Sequence, residues 1–157
     1  MKTGVVAALA MAGALSLAGG ARADECPKDK ILAKPQKVED RESVGMTRAR
    51  ITFVDLKGWR GIVNLFLRAR RLTVAPGGIV PTHEHDDRPA LVYFVKGELT
   101  EYSSYCAVPV VYHAGQISAE FGPGYKHWWK NNGTEEVVMI SDDIVDTDSI
   151  EDDKPMP

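Results

Sequence analysis

The stretch Pro81-Thr-His83-Glu-His85-Asp-Asp-Arg-Pro-Ala90-Leu-Val-Tyr-Phe-Val-Lys-Gly97 sets two histidines two residues apart at the mouth of an apolar run that closes on glycine. In an extended chain residues i and i+2 face the same side, so His83 and His85 present both imidazoles to one face and Glu84 points to the other. Two imidazoles on one strand face make half of a metal site. Ala90 to Val95 is β-rich, and Lys96-Gly97 turns the chain.

Working outward from this stretch, the same period of two recurs. Upstream, Leu65, Leu67 and Ala69 share one parity and Phe66, Arg68 and Arg70 the other, which is a strand pattern. Ala75-Pro76-Gly77-Gly78 reads as the turn that ends this strand. Downstream, strands are predicted over Leu99 to Tyr105, Pro109 to Tyr112, Ile117 to Phe121, Tyr125 to Lys130 and Glu135 to Ser141. Gly115, Gly122-Pro123-Gly124 and Asn131-Asn132-Gly133 punctuate them. There is no long amphipathic helix. Short strands with Gly/Pro turns predict one all-β sandwich or barrel.

The expected organisation is a signal peptide over 1–23, an N-terminal arm with the first strands over 24–60, a barrel core over 61–141 and an acidic, solvated tail over 142–157. The leader has Lys2, an apolar run from Val5 to Ala18, and Ala21-Arg22-Ala23 as a small-x-small cleavage pattern. Its apolar run is too short for a membrane span. Cleavage after Ala23 would deliver the chain to the periplasm or the medium. The tail carries seven acidic residues between Asp142 and Asp153, a composition that favours solvation. The 157 residues hold 19 basic and 22 acidic side chains, a net charge of −3, and losing Lys2 and Arg22 makes the rest more acidic. Neither a nucleic acid nor an anionic membrane surface is the expected partner.

Two cysteines remain, Cys26 and Cys106. In an oxidising compartment an even pair reads as a disulfide. The alternative makes Cys106 a thiolate ligand or nucleophile.

Gly77, five residues, His83-x-His85, then position 90 and Gly97 resemble the first motif of the cupin family, Gly-x5-His-x-His-x3-4-Glu-x6-Gly. Gly124-Tyr-Lys-His127-Trp-Trp-Lys-Asn131 resembles the end of the second, Gly-x2-His-x3-Asn. The resemblance covers roughly positions 65 to 140. It implies a double-stranded β-helix, or jelly-roll, barrel with His83, His85 and His127 as metal ligands, and a homodimer. At the family's glutamate position this chain has Ala90, and its second-motif proline stands one place late, at Pro123.

Three imidazoles without a carboxylate would leave a divalent ion at its full charge and with an extra open position, which suits anionic ligands. Iron(II) is the favoured ion, with zinc, nickel and manganese as alternatives. Cupin dioxygenases with a three-histidine site make an iron-dependent oxygenase acting on a small anionic molecule the leading function. A non-catalytic ligand-binding or metal-binding cupin, with the metal site empty in the extreme, and an isomerase- or lyase-like cupin are the other readings. Asp86 or Asp87 would be the substitute carboxylate, or merely solvated loop residues. Pocket candidates beside Ala90 are Trp129, which shares the parity of His127, Tyr125 in the preceding turn, and Arg68 and Arg70, whose default is a solvated outer face. His113 is read as a surface or satisfied strand histidine, and Tyr93 points away from Ala90.

Overall fold

Alternating apolar segments can bury one face only by pairing, and here they pair antiparallel throughout. The computed structural model describes residues 25–151; the proposed leader lies outside them. The strands are β1 (Val44–Asp55), β2 (Leu65–Glu84), β3 (Ala90–Lys96), β4 (Glu98–Ser103), β5 (Val110–His113), β6 (Ile117–Glu120), β7 (Lys126–Lys130) and β8 (Val137–Asp146), followed by the short helix α1 (Thr147–Glu151). Their order is β5-β4-β7-β2-β8-β3-β6, with β1 on β2. The result is a nearly closed all-β barrel.

β2 belongs to both halves of this barrel. Its first part, Leu65 to Val74, pairs with β8, and Phe66 to Val74 also pairs with β1. Its second part, Ile79 to Glu84, pairs with β7. The expected turn at Ala75 to Gly78 is therefore a bend inside one strand. Gly77 has φ +75°, and a Cβ on Gly78 would stand 2.7 Å from the Ala75 carbonyl oxygen. Only glycine allows that crowding where the strand crosses from one sheet to the other.

The acidic tail needs correcting. Asp142 to Asp146 continue β8, and α1 follows. Asp143 faces inward and is 1% exposed. Acidic composition suggested solvent, but alternation along β8 turns this residue toward Arg68 and Arg70, whose guanidiniums make its burial tolerable. Residues 152–157 of the proposed tail lie outside the described ones.

The N-terminal arm is tied to the barrel. Cys26 and Cys106 are joined, with Cα atoms 5.9 Å apart. Leu32 and Gln36 donate backbone N–H groups to the carbonyls of Tyr105 and Ser104, and Gln36 Nε2 bonds the Cys106 carbonyl at 2.7 Å.

Rows across the barrel wall explain where the site sits. Leu72, Met139 and Phe94 lie in register, as do Arg70, Ser141, Val92 and Ser118, and then Arg68, Asp143, Ala90 and Glu120. The first row belongs to the apolar core with Val74, Leu99, Tyr112 and Trp129. The third row is charged. Along β2 and β8 the inward residues thus pass from apolar to charged between the first row and the third.

Candidate metal centre

At the polar end, His83, His85, His127 and Glu120 bring four ligand atoms within 4.8 Å of one another. β2 supplies His83, the loop that leaves β2 after Glu84 supplies His85, β7 supplies His127 and β6 the carboxylate. His83 and His127 are cross-strand partners. Glu120 is the partner of Ala90 on β3. The position where the family carries its glutamate holds a methyl group, and a carboxylate reaches in from directly opposite. The three-histidine reading is corrected here: the cluster has three imidazoles and one carboxylate, so a divalent ion would carry +1 rather than +2.

The hydrogen bonds behind the rings fix which nitrogen faces the cluster. His83 Nδ1 donates to the Pro81 carbonyl at 2.8 Å and His85 Nδ1 to the Arg88 carbonyl at 2.7 Å. A carbonyl only accepts, so each Nδ1 bears hydrogen and a neutral ring leaves Nε2 bare. His127 Nδ1 donates to Glu101 Oε1 at 2.6 Å. The bare atoms then meet: His127 Nε2 and His83 Nε2 are 3.1 Å apart, and His85 Nε2 and Glu120 Oε2 are also 3.1 Å apart.

Burial and neighbouring charge keep His83, His127 and Glu120 as acceptors. Burial, with nearby His127, pushes His83 well below the usual imidazole range. Burial outweighs the pull of Glu120 on His127 and brings it down to about 4. Burial also pushes Glu120 up, but His127, His85 and His83 outweigh it and hold the carboxyl at about 2. Facing lone pairs repel, and His85 Nε2 and Glu120 Oε1 are buried without a hydrogen-bond partner. A cation between them answers both problems. Three nitrogens and one oxygen fit a divalent transition ion.

The remaining candidates divide clearly. Trp129 is in the core and meets His127 edge to face at 5.4 Å. Trp128 faces outward, stacked on Tyr102 at 4.0 Å with Arg41 over it. Tyr125 is fully buried and its hydroxyl donates to Glu101 Oε1 at 2.8 Å. Burial, reinforced by Glu101, raises it far above the ordinary phenol range, so it stays a neutral donor.

Arg68 and Arg70 are buried rather than on a solvated face. Arg68 grips Asp143 with two bonds, at 2.9 and 2.7 Å, and Arg70 adds a third at 2.9 Å. Burial pushes Asp143 up, yet the hydrogen bond from Arg68, with Arg70 and Arg88, brings it below the usual carboxylate range. Arg88 reaches the same oxygen at 3.3 Å and is 25% exposed. A cavity of about 40 Å³ is lined by the three residues His83, His85 and Glu120 together with Arg70, Arg88 and Trp129, among others. That is room for about three waters.

Asp86 accepts the Gly124 N–H at 2.7 Å and so ties two loops together. Neither Asp86 nor Asp87 is in the cluster. His113 is exposed beside Glu98, and Tyr93 is exposed. Glu120 and Glu101 escaped the sequence reading. Glu120 has the parity of Ser118 on a four-residue strand, and its only signal was a polar inward side chain opposite a small one.

The cupin domain model matches residues 70–141. This chain belongs to the cupin superfamily. The fold of this cupin is similar to that of a predicted oxalate decarboxylase from Thermotoga maritima, with a TM-score of 0.53, 19% identity, and 76% of this chain and 97% of that one covered. It is also similar to the Cnp3 cupin domain of Schizosaccharomyces pombe (TM-score 0.50, 14% identity, 73% of each chain). A cupin-2 domain from Rhodospirillum rubrum is a third (TM-score 0.50, 16% identity, 72% of this chain and 67% of that one). No curated protein matches the chain in sequence.

Proposed function

We propose that this cupin is an iron(II)-dependent oxygenase acting on a small anionic molecule at the His83, His85, His127 and Glu120 cluster. The observation that carries the reading is the convergence of four acceptor atoms whose back sides are already hydrogen-bonded. Iron(II), when bound, supplies the redox chemistry that turns dioxygen on a substrate.

The protein's own groups do the rest. The three Nδ1–H bonds hold the imidazole planes and keep protons off the inward nitrogens. Arg68, Arg70 and Arg88 converge on Asp143, Arg70 and Arg88 line the same cavity as Glu120, and Glu101 lies behind His127, so three guanidiniums stand against three carboxyl groups at this end. A divalent ion would add two positive charges to that balance, and a bound anion offsets them. Arg88, the most exposed of the three guanidiniums, meets the anion first; Arg70 orients it from within. Leu72, Val80, Val92 and Met139 line the cavity's apolar side and exclude water.

The enclosure supports a second reading, a metal-holding cupin without turnover. His85 is 1% exposed and His127 fully buried. One experiment separates the two: metal analysis of protein purified without chelators, followed by oxygen uptake with thiols, diketones, phenolic acids and oxalate. About one equivalent of iron with substrate-dependent oxygen uptake supports the oxygenase. Bound metal without uptake supports the second reading. Less than about a tenth of an equivalent of any metal in folded protein overturns both, since structural and catalytic sites bind far more tightly than that.

Export and pairing complete the proposal. The Cys26–Cys106 bond supports an oxidising compartment, and periplasmic protein beginning at Asp24 would bear that out. The exposed Leu91, Tyr93 and Ile117 on neighbouring strands β3 and β6 support a homodimer, which light scattering tests.

A further inference from the structure

His83 and His85 are held from behind by backbone carbonyls, at 2.8 and 2.7 Å. His127 is held by a carboxylate, at 2.6 Å. A neutral acceptor suffices to fix a ring, as the first two show. The third is therefore treated differently. Glu101 is fully buried, and burying a carboxylate carries a desolvation cost that a backbone carbonyl does not.

Its placement follows from the sheet. On β4, Glu101 pairs with Trp129 and Ser103 pairs with His127. Glu101 therefore reaches its histidine along the diagonal, two residues off register, within range of a long side chain. Tyr125 reaches the same oxygen from the strand-entry side and donates its hydroxyl at 2.8 Å. Two donors on Oε1 fix the carboxylate's orientation, and so the imidazole's.

We propose that Glu101 is the positioning residue of the centre, making His127 a stronger metal donor than His83 or His85 by placing a carboxylate against its Nδ1–H. A proton drawn toward a carboxylate leaves more electron density at Nε2, so the ligand binds a cation more strongly. The effect is confined to one of three imidazoles, which gives the centre one strong and two ordinary nitrogen donors. Tyr125 sets the carboxylate and touches no ligand through its hydroxyl. This inference rests on the cluster being a metal site.

The test uses cobalt(II) as probe on the full chain, reading affinity by competition titration and the visible ligand-field bands by absorption. Glu101→Gln keeps an acceptor oxygen and the volume but removes the charge. It is expected to weaken cobalt binding about 10- to 100-fold and to shift the bands, with the metal-free protein melting as wild type does. Affinity within about twofold of wild type, with unchanged bands, would overturn the inference, because outer-sphere partners of metal ligands normally matter by more than that. If Glu101→Gln does not fold, Glu101→Asp keeps the charge but withdraws it by one methylene; the same loss is expected and the same null result overturns. Tyr125→Phe, which leaves the carboxylate against Nδ1–H, should weaken binding less than Glu101→Gln does, and a loss equal to that of Glu101→Gln would take the role away from the carboxylate. A wild-type chain that binds no cobalt defeats the metal reading itself, whereas normal wild-type binding with an indifferent Glu101 variant defeats only this inference.

Discussion

The two ends of this barrel are built on the same strands and do different work. One end holds Phe94, Leu72, Met139, Trp129 and Tyr112, where rings stack and little is charged; Phe94 and Tyr112 lie 5.3 Å apart and nearly parallel. The other holds Arg68, Asp143, Glu120 and three histidines; Arg68 and Asp143 stand four residues along β2 and β8 from Leu72 and Met139, and His127 two along β7 from Trp129. Apolar contacts reward folding directly. Facing lone pairs and buried ions do not, and they persist because neighbouring donors, and on the proposed reading an ion, compensate them. One end supplies stability that the other spends.

Substitutions at the two ends should therefore separate stability from metal binding. The largest effect is expected for Glu120→Gln, which should abolish stoichiometric metal by elemental analysis. Its metal-free melting point should hold or rise, because an amide relieves the crowding of acceptors, a common outcome when a functional site is neutralised. Metal retention in this variant would break the contrast.

Phe94→Ala at the other end should cost about 3–5 kcal/mol in denaturant unfolding, with metal content per folded molecule unchanged. Asp143→Asn probes the border. Removing the shared carboxylate leaves buried guanidiniums uncompensated, at a cost of about 3 kcal/mol. The pH dependence sharpens this. The folded Asp143 carboxyl lies below its ordinary range, so its contribution is complete above the unfolded value of about 4 and is lost as pH falls from there. Urea midpoints should decline below about pH 4 for wild type and decline less for Asp143→Asn. The smallest effect is expected for the exposed Leu91→Ala, within about 0.5 kcal/mol in the monomer; a larger one at high protein concentration would reveal the dimer.

Sequence reading reached one end better than the other. Alternation from Leu65 to Arg70, and the turn glycines, marked the strands because period two is imposed by the backbone itself. His83 and His85 were legible because their spacing is local, and His127 because Gly124 and Asn131 frame it in a local motif of its own. Glu120 was not, since its relation to Ala90 exists only through the pairing of β3 with β6. Arg68, Arg70 and Asp143 misled for one reason: charge favours solvent residue by residue, and only the Arg68–Asp143 register across β2 and β8 reveals that the charges meet inside. Composition sees each charge alone; the sheet sees them in pairs.

The strand order also sets a sequence of assembly. Among the described residues, β6 joins the sheet only through β3, β3 reaches β2 only through β8, and β8 is the last strand. His83 at the end of β2, and His85 just after it, exist long before their carboxylate partner is held in the sheet. Residues far apart in sequence must pair first, which makes closure a slow, late event. A ribosome-bound chain ending short of Val137 would offer imidazoles without a firmly seated Glu120, so the complete ligand set arrives as the final strand locks the wall.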